Sequence, residues 1–149
     1  MFFPFLFIIS VINSFYVQGV HSAESKEFTR GNPITSDVFA PTAVAMDSDD
    51  NIYVTESSNN RLRIFNASGN FVKKLTGLKK PTGVFVDSGR KIYICNPGRK
   101  NVEVYDSGLN LLYKLGSGNG EFQFPSAVAV KNSGNIYVAD AKGDTVKVY

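Results

Sequence analysis

PTAVAMDSDDNIYVTESSNNRLRIF, residues 41–65, recurs twice along the chain with its internal spacing kept. PTGVFVDSGRKIYICNPGRKNVEVY occupies 81–105 and PSAVAVKNSGNIYVADAKGDTVKVY occupies 125–149. From each proline to the Ile of Ile-Tyr-(Val/Ile) is eleven positions: 41 to 52, 81 to 92, 125 to 136. From that Ile to the next apolar anchor (Ile64, Val104, Val148) is twelve. Short alternating apolar runs are divided by Asp, Asn, Ser and Gly, the residues that turn a chain back on itself. A period of about 40–45 residues made of short strands is the signature of propeller blades, sheets that must be stacked between neighbours to bury both faces.

Alternation and turn chemistry predict strands over 43–46, 52–55, 61–65 and 71–75 in the first copy. The second copy repeats this plan and closes on a strand over 111–115, whereas the third reaches only the end of its third strand at Tyr149. The expected fold class is all-β: a β-propeller of which about two and a half four-stranded blades are present, an incomplete ring. Three segments are expected: a leader over 1–23, an N-terminal strand and linker over 24–40, and blades over 41–149 with repeats starting at 41, 81 and 125. Glu27–Arg30 is expected to be a short strand that completes a last blade and closes the sheet edge. The pattern calls for a fourth strand after Tyr149, so the sequence reads as the N-terminal part of a longer protein. Between the second and third copies the link is longer and glycine-rich, with Phe122 and Phe124 placed to anchor it between blades. A phosphate-cradling loop is the alternative there, but no Lys-Ser/Thr pair or helix succeeds it.

The 149 residues carry a formal charge of +3 and are 43% hydrophobic, which suits one globular domain. The absence of Trp argues against WD-type blades. The single Cys95 rules out an internal disulfide; it stands in a strand position shared with Thr55 and Ala139, leaving a plain strand residue or a reactive thiol as readings. Phe2 to Ile12 is an apolar run, and no charged residue precedes Glu24. With small Ser22 and Ala23 downstream, this reads as a signal peptide cleaved near those residues, and so as a secreted, extracellular protein. An uncleaved, signal-anchored membrane protein is the alternative, for which the apolar core is short of the ~20 residues a span needs.

The repeats resemble the NHL-repeat family of β-propellers. The third copy carries the resemblance best: Gly118-Asn119-Gly120-Glu121-Phe122, Phe124-Pro125-Ser126-Ala127-Val128-Ala129-Val130 and Gly134-Asn135-Ile136-Tyr137-Val138-Ala139-Asp140. The first copy adds Asn59 and Arg61 after Glu56, with a Glu56–Arg61 pair expected across the turn. Departures are Asn96 at the acid position, Asn101 and Thr145 at the Arg position, and Lys131 where the first strand elsewhere ends in Asp47 or Asp87. The resemblance implies a scaffold of typically six blades. It also implies three functional classes: binding modules, a secreted amidating lyase with His-ligated zinc, and cytoplasmic RNA-binding or ubiquitin-ligase-associated proteins.

No catalytic, cofactor or metal site is expected in this stretch. The one His, His21, lies in the leader, no Cys pair exists, and no base accompanies the turn serines. Asp49-Asp50-Asn51 is the densest carboxylate group, read as a calcium ligand set or, since Gly89-Arg90-Lys91 replaces it in the second copy, as a turn. The candidate binding feature is a basic stretch comprising Lys79, Lys80, Arg90, Lys91, Arg99 and Lys100, flanked by Lys73 and Lys74 and opposed only by Asp87. It would meet an anionic glycan, an acidic protein or lipid head groups on the secretory route, where nucleic acid is not expected; the alternative is a solvated rim. Tyr53, Tyr93 and Tyr137 recur at one position and are assigned to packing. Asn66-Ala67-Ser68 is a glycosylation sequon or simply a turn. The expected function is thus an extracellular binding or scaffolding module and not an enzyme. The alternatives are the N-terminal part of a secreted propeller enzyme with its catalytic residues beyond Tyr149, and an RNA-binding or ubiquitin-ligase-associated relative.

Overall fold

The structure, a computed structural model, describes residues 31, 33, 34, 38–116 and 121–149. The leader and the strand expected at Glu27–Arg30 lie outside them. The chain divides into two units. The first, Met1–Asn32, contributes only Gly31 to the described residues, and the second, Pro33–Tyr149, holds all the strands.

Three antiparallel sheets succeed one another along the chain. Blade one comprises β1 (Pro41–Met46), β2 (Ile52–Glu56), β3 (Arg61–Phe65) and β4 (Phe71–Leu75). Blade two comprises β5 (Val84–Val86), β6 (Ile92–Asn96), β7 (Asn101–Tyr105) and β8 (Leu111–Leu115). Blade three has β9 (Pro125–Val130), β10 (Ile136–Asp140) and β11 (Thr145–Val148), with β11 at its edge. Each strand pairs with its sequence neighbour, so the order within a blade is that of the chain. No helix among the described residues is long and apolar enough to cross a membrane.

Two strand limits differ from the sequence reading. β2 extends to Glu56 because that residue pairs with Arg61 across the hairpin. β1 starts at Pro41, past an irregularity between Pro41 and Ala43 that leaves the proline without the ladder bond it cannot make.

The core lies between blades. Tyr53, Leu62 and Ile64 of blade one pack against Val84, Val86, Ile92, Ile94 and Tyr105 of blade two. Alternation sends Tyr93, Cys95, Val102 and Val104 to the other side of blade two, where they meet Val128, Ile136 and Val138 of blade three. Phe122, from the longer link, is buried in this second core, as its anchoring role required. β6 and β7 are therefore buried at every position.

Candidate functional site

The sixteenth residue of each repeat is Glu56, Asn96 or Asp140, and all three are buried. Asn96 Oδ1 accepts the backbone N–H of Lys79 at 2.7 Å. Asp140 accepts those of Gln123 at 2.9 Å and Phe124 at 2.6 Å, while Glu56 Oε2 accepts from the Asn59 amide at 2.8 Å within its own hairpin. Asn96 and Asp140 thus fasten the links entering their own blades, satisfying N–H groups that no strand partner reaches. Burial pushes the Glu56 and Asp140 carboxyls up. Hydrogen bonds outweigh it, from Arg61 and Asn59 to Glu56 and from Phe124 and Gln123 to Asp140, so both stay below the ordinary carboxylate range. The Glu56–Arg61 pair forms at 2.7 Å with the acid fully buried.

The cationic residues occupy two opposite ends of blade two, because successive hairpins in an antiparallel sheet turn at alternate ends. Lys79 and Lys80 lie on the link into blade two, and Arg99 and Lys100 on the β6–β7 turn beside it. The backbone there is held closely: the Gly98 N–H reaches the Lys79 carbonyl at 3.0 Å. A Cβ on Gly98 would come within 2.6 Å of that oxygen, so only glycine permits the approach. The Lys80 N–H is accepted by Asn60 Oδ1 at 2.7 Å. Arg99 is turned inward, to Glu103 Oε1 at 2.9 Å and the Gly77 carbonyl at 2.6 Å. Lys79, Lys80 and Lys100 remain exposed, with no ion pair among the described residues.

Arg90 and Lys91 belong to the opposite end, on the β5–β6 turn. Arg90 is paired with Asp49 of the equivalent turn in blade one. Lys73, on β4, bonds the Ser107 carbonyl, and Lys74 is exposed on the same strand. The six residues that are neighbours in sequence therefore form a group of four and a group of two, not one band.

The remaining sequence features resolve locally. Asn66 Oδ1 accepts the N–H groups of Ser68 and Asn70, and Asp106 does the same for Asn110 at the equivalent position, so the turn role is common to both blades. Asp47 closes its turn on the Asp49 and Asn51 N–H groups and accepts the Tyr53 hydroxyl at 2.9 Å. Asp87 and Tyr93 repeat that bond at 3.0 Å, while Lys131 cannot offer it to Tyr137. Cys95 is fully buried, and burial pushes its thiol up to about 12, which suits a strand residue. Among the described residues no three His, Cys, Asp or Glu side chains gather closely enough to hold a metal ion.

Sequence reasoning missed a crevice of about 390 Å³ between blades two and three, at the Arg90/Lys91 end. Lys91 and Lys131 both line it, with Tyr93 and Tyr113. The departure at Lys131 was the one signal of it; nothing in the linear order places Lys131 beside Lys91.

The NHL repeat family model matches residues 40–65, which are β1 to β3 of blade one. No curated protein sequence matches the chain. Among solved structures it is similar to hydrazine synthase of Kuenenia stuttgartiensis (TM-score 0.65, 18% identity, covering 82% of this chain and 36% of that one). A streptogramin B lyase gives a TM-score of 0.64 at 15% identity over 74% of this chain and 39% of its own. A gluconolactonase from Xanthomonas campestris gives 0.60 at 18% over 72% and 37%. The chain thus spans 36–39% of the length of these structures. At such identities the likeness concerns the fold alone, that of a β-propeller, with one NHL repeat matched in blade one.

Proposed function

We propose that the chain is part of an extracellular propeller module that binds an anionic partner, an acidic glycan or an acidic protein surface, through the end carrying Lys79, Lys80, Arg99 and Lys100. One observation carries this reading: three exposed ammonium groups stand on a backbone fastened by Asn96, Asn60 and the Gly98 contact. Cations whose backbone is already ordered lose less entropy on meeting a polyanion, and clustered charge of one sign steers the encounter. Heparin chromatography tests it. Lys79→Glu/Lys80→Glu/Lys100→Glu is expected to elute at clearly lower salt than the native chain. Equal elution of the triple variant and the native chain reduces this end to a solvated rim.

The extracellular assignment rests on the leader, with cleavage expected near Ser22 or Ala23. N-terminal sequencing of the protein expressed in a secreting host checks it; Met1 retained on membrane-embedded material reverses it in favour of an anchor.

A second reading, part of a propeller enzyme, is favoured by the fold shared with a streptogramin B lyase and a gluconolactonase. On that reading the described blades are scaffold, and the chemistry belongs to residues outside them.

A further inference from the structure

The crevice between blades one and two and that between blades two and three are built from the same repeat positions, so they can be compared residue by residue. In the first, Asp49 and Arg90 join across the opening, and the first strands of the two blades lead into Asp47 and Asp87. In the second, the positions of Asp49 and Arg90 are held by Gly89 and Gly134, and the first strands lead into Asp87 and Lys131. Two side chains that span the first opening are therefore missing from the second, and one acid has become a base.

All three turns keep a positive φ at this position: Asp50 and Arg90 hold it at 60° and 63°, and Gly134 at 98°, a conformation that side chains rarely adopt. A Cβ on Gly134 would meet nothing within 4 Å, so the space beside it is open.

We propose that this crevice binds a small anionic sugar, a body of monosaccharide size carrying one phosphate, sulfate or carboxylate group. Its volume of about 390 Å³ lies within the range of small-ligand pockets, ~300–1,000 Å³. Lys91 and Lys131 have no ion pair among the described residues, and two ammonium groups on opposite walls are point charges suited to one oxyanion between them. Tyr93 donates to Asp87 at 3.0 Å, and Tyr113 lines the crevice with it. Burial together with these two neighbours raises the Tyr93 hydroxyl well above its ordinary value, so it stays protonated. The Asp87 carboxylate and the Ser88 hydroxyl supply acceptors for sugar hydroxyls, while Asp87 also lowers the attraction for a bare, highly charged ion. Phe85 and Ile136 provide apolar wall for the C–H face of a ring. The site lies at the end of blade two opposite Lys79, Lys80 and Lys100, and does not depend on the polyanion reading.

Calorimetric titration of the full chain with glucose 6-phosphate, galactose 6-sulfate, glucuronate and neutral glucose tests this. At least one of the three anionic sugars is expected to bind and glucose is not. Lys91→Ala/Lys131→Ala is expected to weaken binding about tenfold or more, equivalent to about 1.4 kcal/mol. Gly89→Asp/Gly134→Arg, which reinstalls the ion pair of the first crevice, is expected to abolish binding while the variant still melts cooperatively, at a lower temperature because a side chain at the φ of 98° of Gly134 is strained. Lys79→Glu/Lys80→Glu/Lys100→Glu should leave it intact. Silence with all three anionic sugars, equal binding of glucose, or undiminished binding in the double-lysine variant overturns the proposal.

Discussion

Blades two and three carry similar residues at the same repeat positions, and solvent meets them differently. Tyr93, Val102 and Val104 are 3%, 0% and 0% exposed, whereas Tyr137, Val146 and Val148 are 37%, 64% and 54% exposed. The difference is a neighbour: blade three covers the first set, and nothing among the described residues covers the second. Blade one shows the mirror image, with Val44 and Met46 exposed on the face turned away from blade two. A blade face in this fold is half of a core, and identical chemistry becomes core or surface according to whether the other half is present. The exposed faces are of the kind on which a further blade stacks, as blade three stacks on blade two.

The comparison breaks most visibly with one charge placed at equivalent positions. Val104→Asp strands a carboxylate in the closed core and is expected to cost more than about 3 kcal/mol, enough to lose a cooperative melt. Val148→Asp is expected to stay within about 0.5 kcal/mol of the native chain, and to lessen self-association through the apolar edge at β11. Thermal melts with sedimentation velocity check both. Equal destabilisation by the two substitutions would mean that the Tyr137 face is covered, and the contrast between blades would be lost.

A smaller effect sharpens it at the neighbouring position of β7 and β11. Glu103 is fully buried against Tyr105 at 2.6 Å and Arg99 at 2.9 Å, with Lys114 at 3.7 Å. Lys147, its counterpart in blade three, is only 3.9 Å from Asp140 and partly exposed. Burial pushes the Glu103 carboxyl up, but the Tyr105 and Arg99 bonds outweigh it, so its folded value is lowered. A lowered carboxylate contributes stability that is complete above its unfolded value of about 4.3 and is lost as pH falls through the folded value. Glu103→Gln is therefore expected to destabilise by about 1–3 kcal/mol at neutral pH and to flatten the acid limb of the stability curve below about pH 4.3. Lys147→Ala is expected to change stability by less than about 1 kcal/mol. Urea melts from about pH 2 to about pH 7 check this, and an unaltered acid limb in Glu103→Gln would show that the buried carboxylate contributes nothing.

Much of the fold was legible because a blade is a local object. Strands joined by short hairpins read out in chain order, and the predicted strands over 61–65, 71–75 and 111–115 match β3, β4 and β8. The acid position was legible as a recurring place with a Glu56–Arg61 pair across the turn, but its backbone partners, the N–H groups of Lys79 and Gln123 seventeen residues upstream of Asn96 and Asp140, were not. The basic residues were legible only as a stretch. Which end of the sheet each one reaches depends on counting hairpin reversals, and that count separates Arg90 and Lys91 from Lys79, Lys80, Arg99 and Lys100.

The sequence by itself determined the repeat, the all-β class, the strand order and the residues of each blade face, because alternation and turn residues act over a few positions. The tertiary structure decided which faces are core, that Arg99 is committed to Glu103 while Lys79, Lys80 and Lys100 are not, and that Lys91 and Lys131 share a crevice. Those outcomes depend on contacts across stacked sheets between residues some forty positions apart, where Asp49 and Arg90 pair across one opening and Gly89 and Gly134 stand at the matching positions of the next.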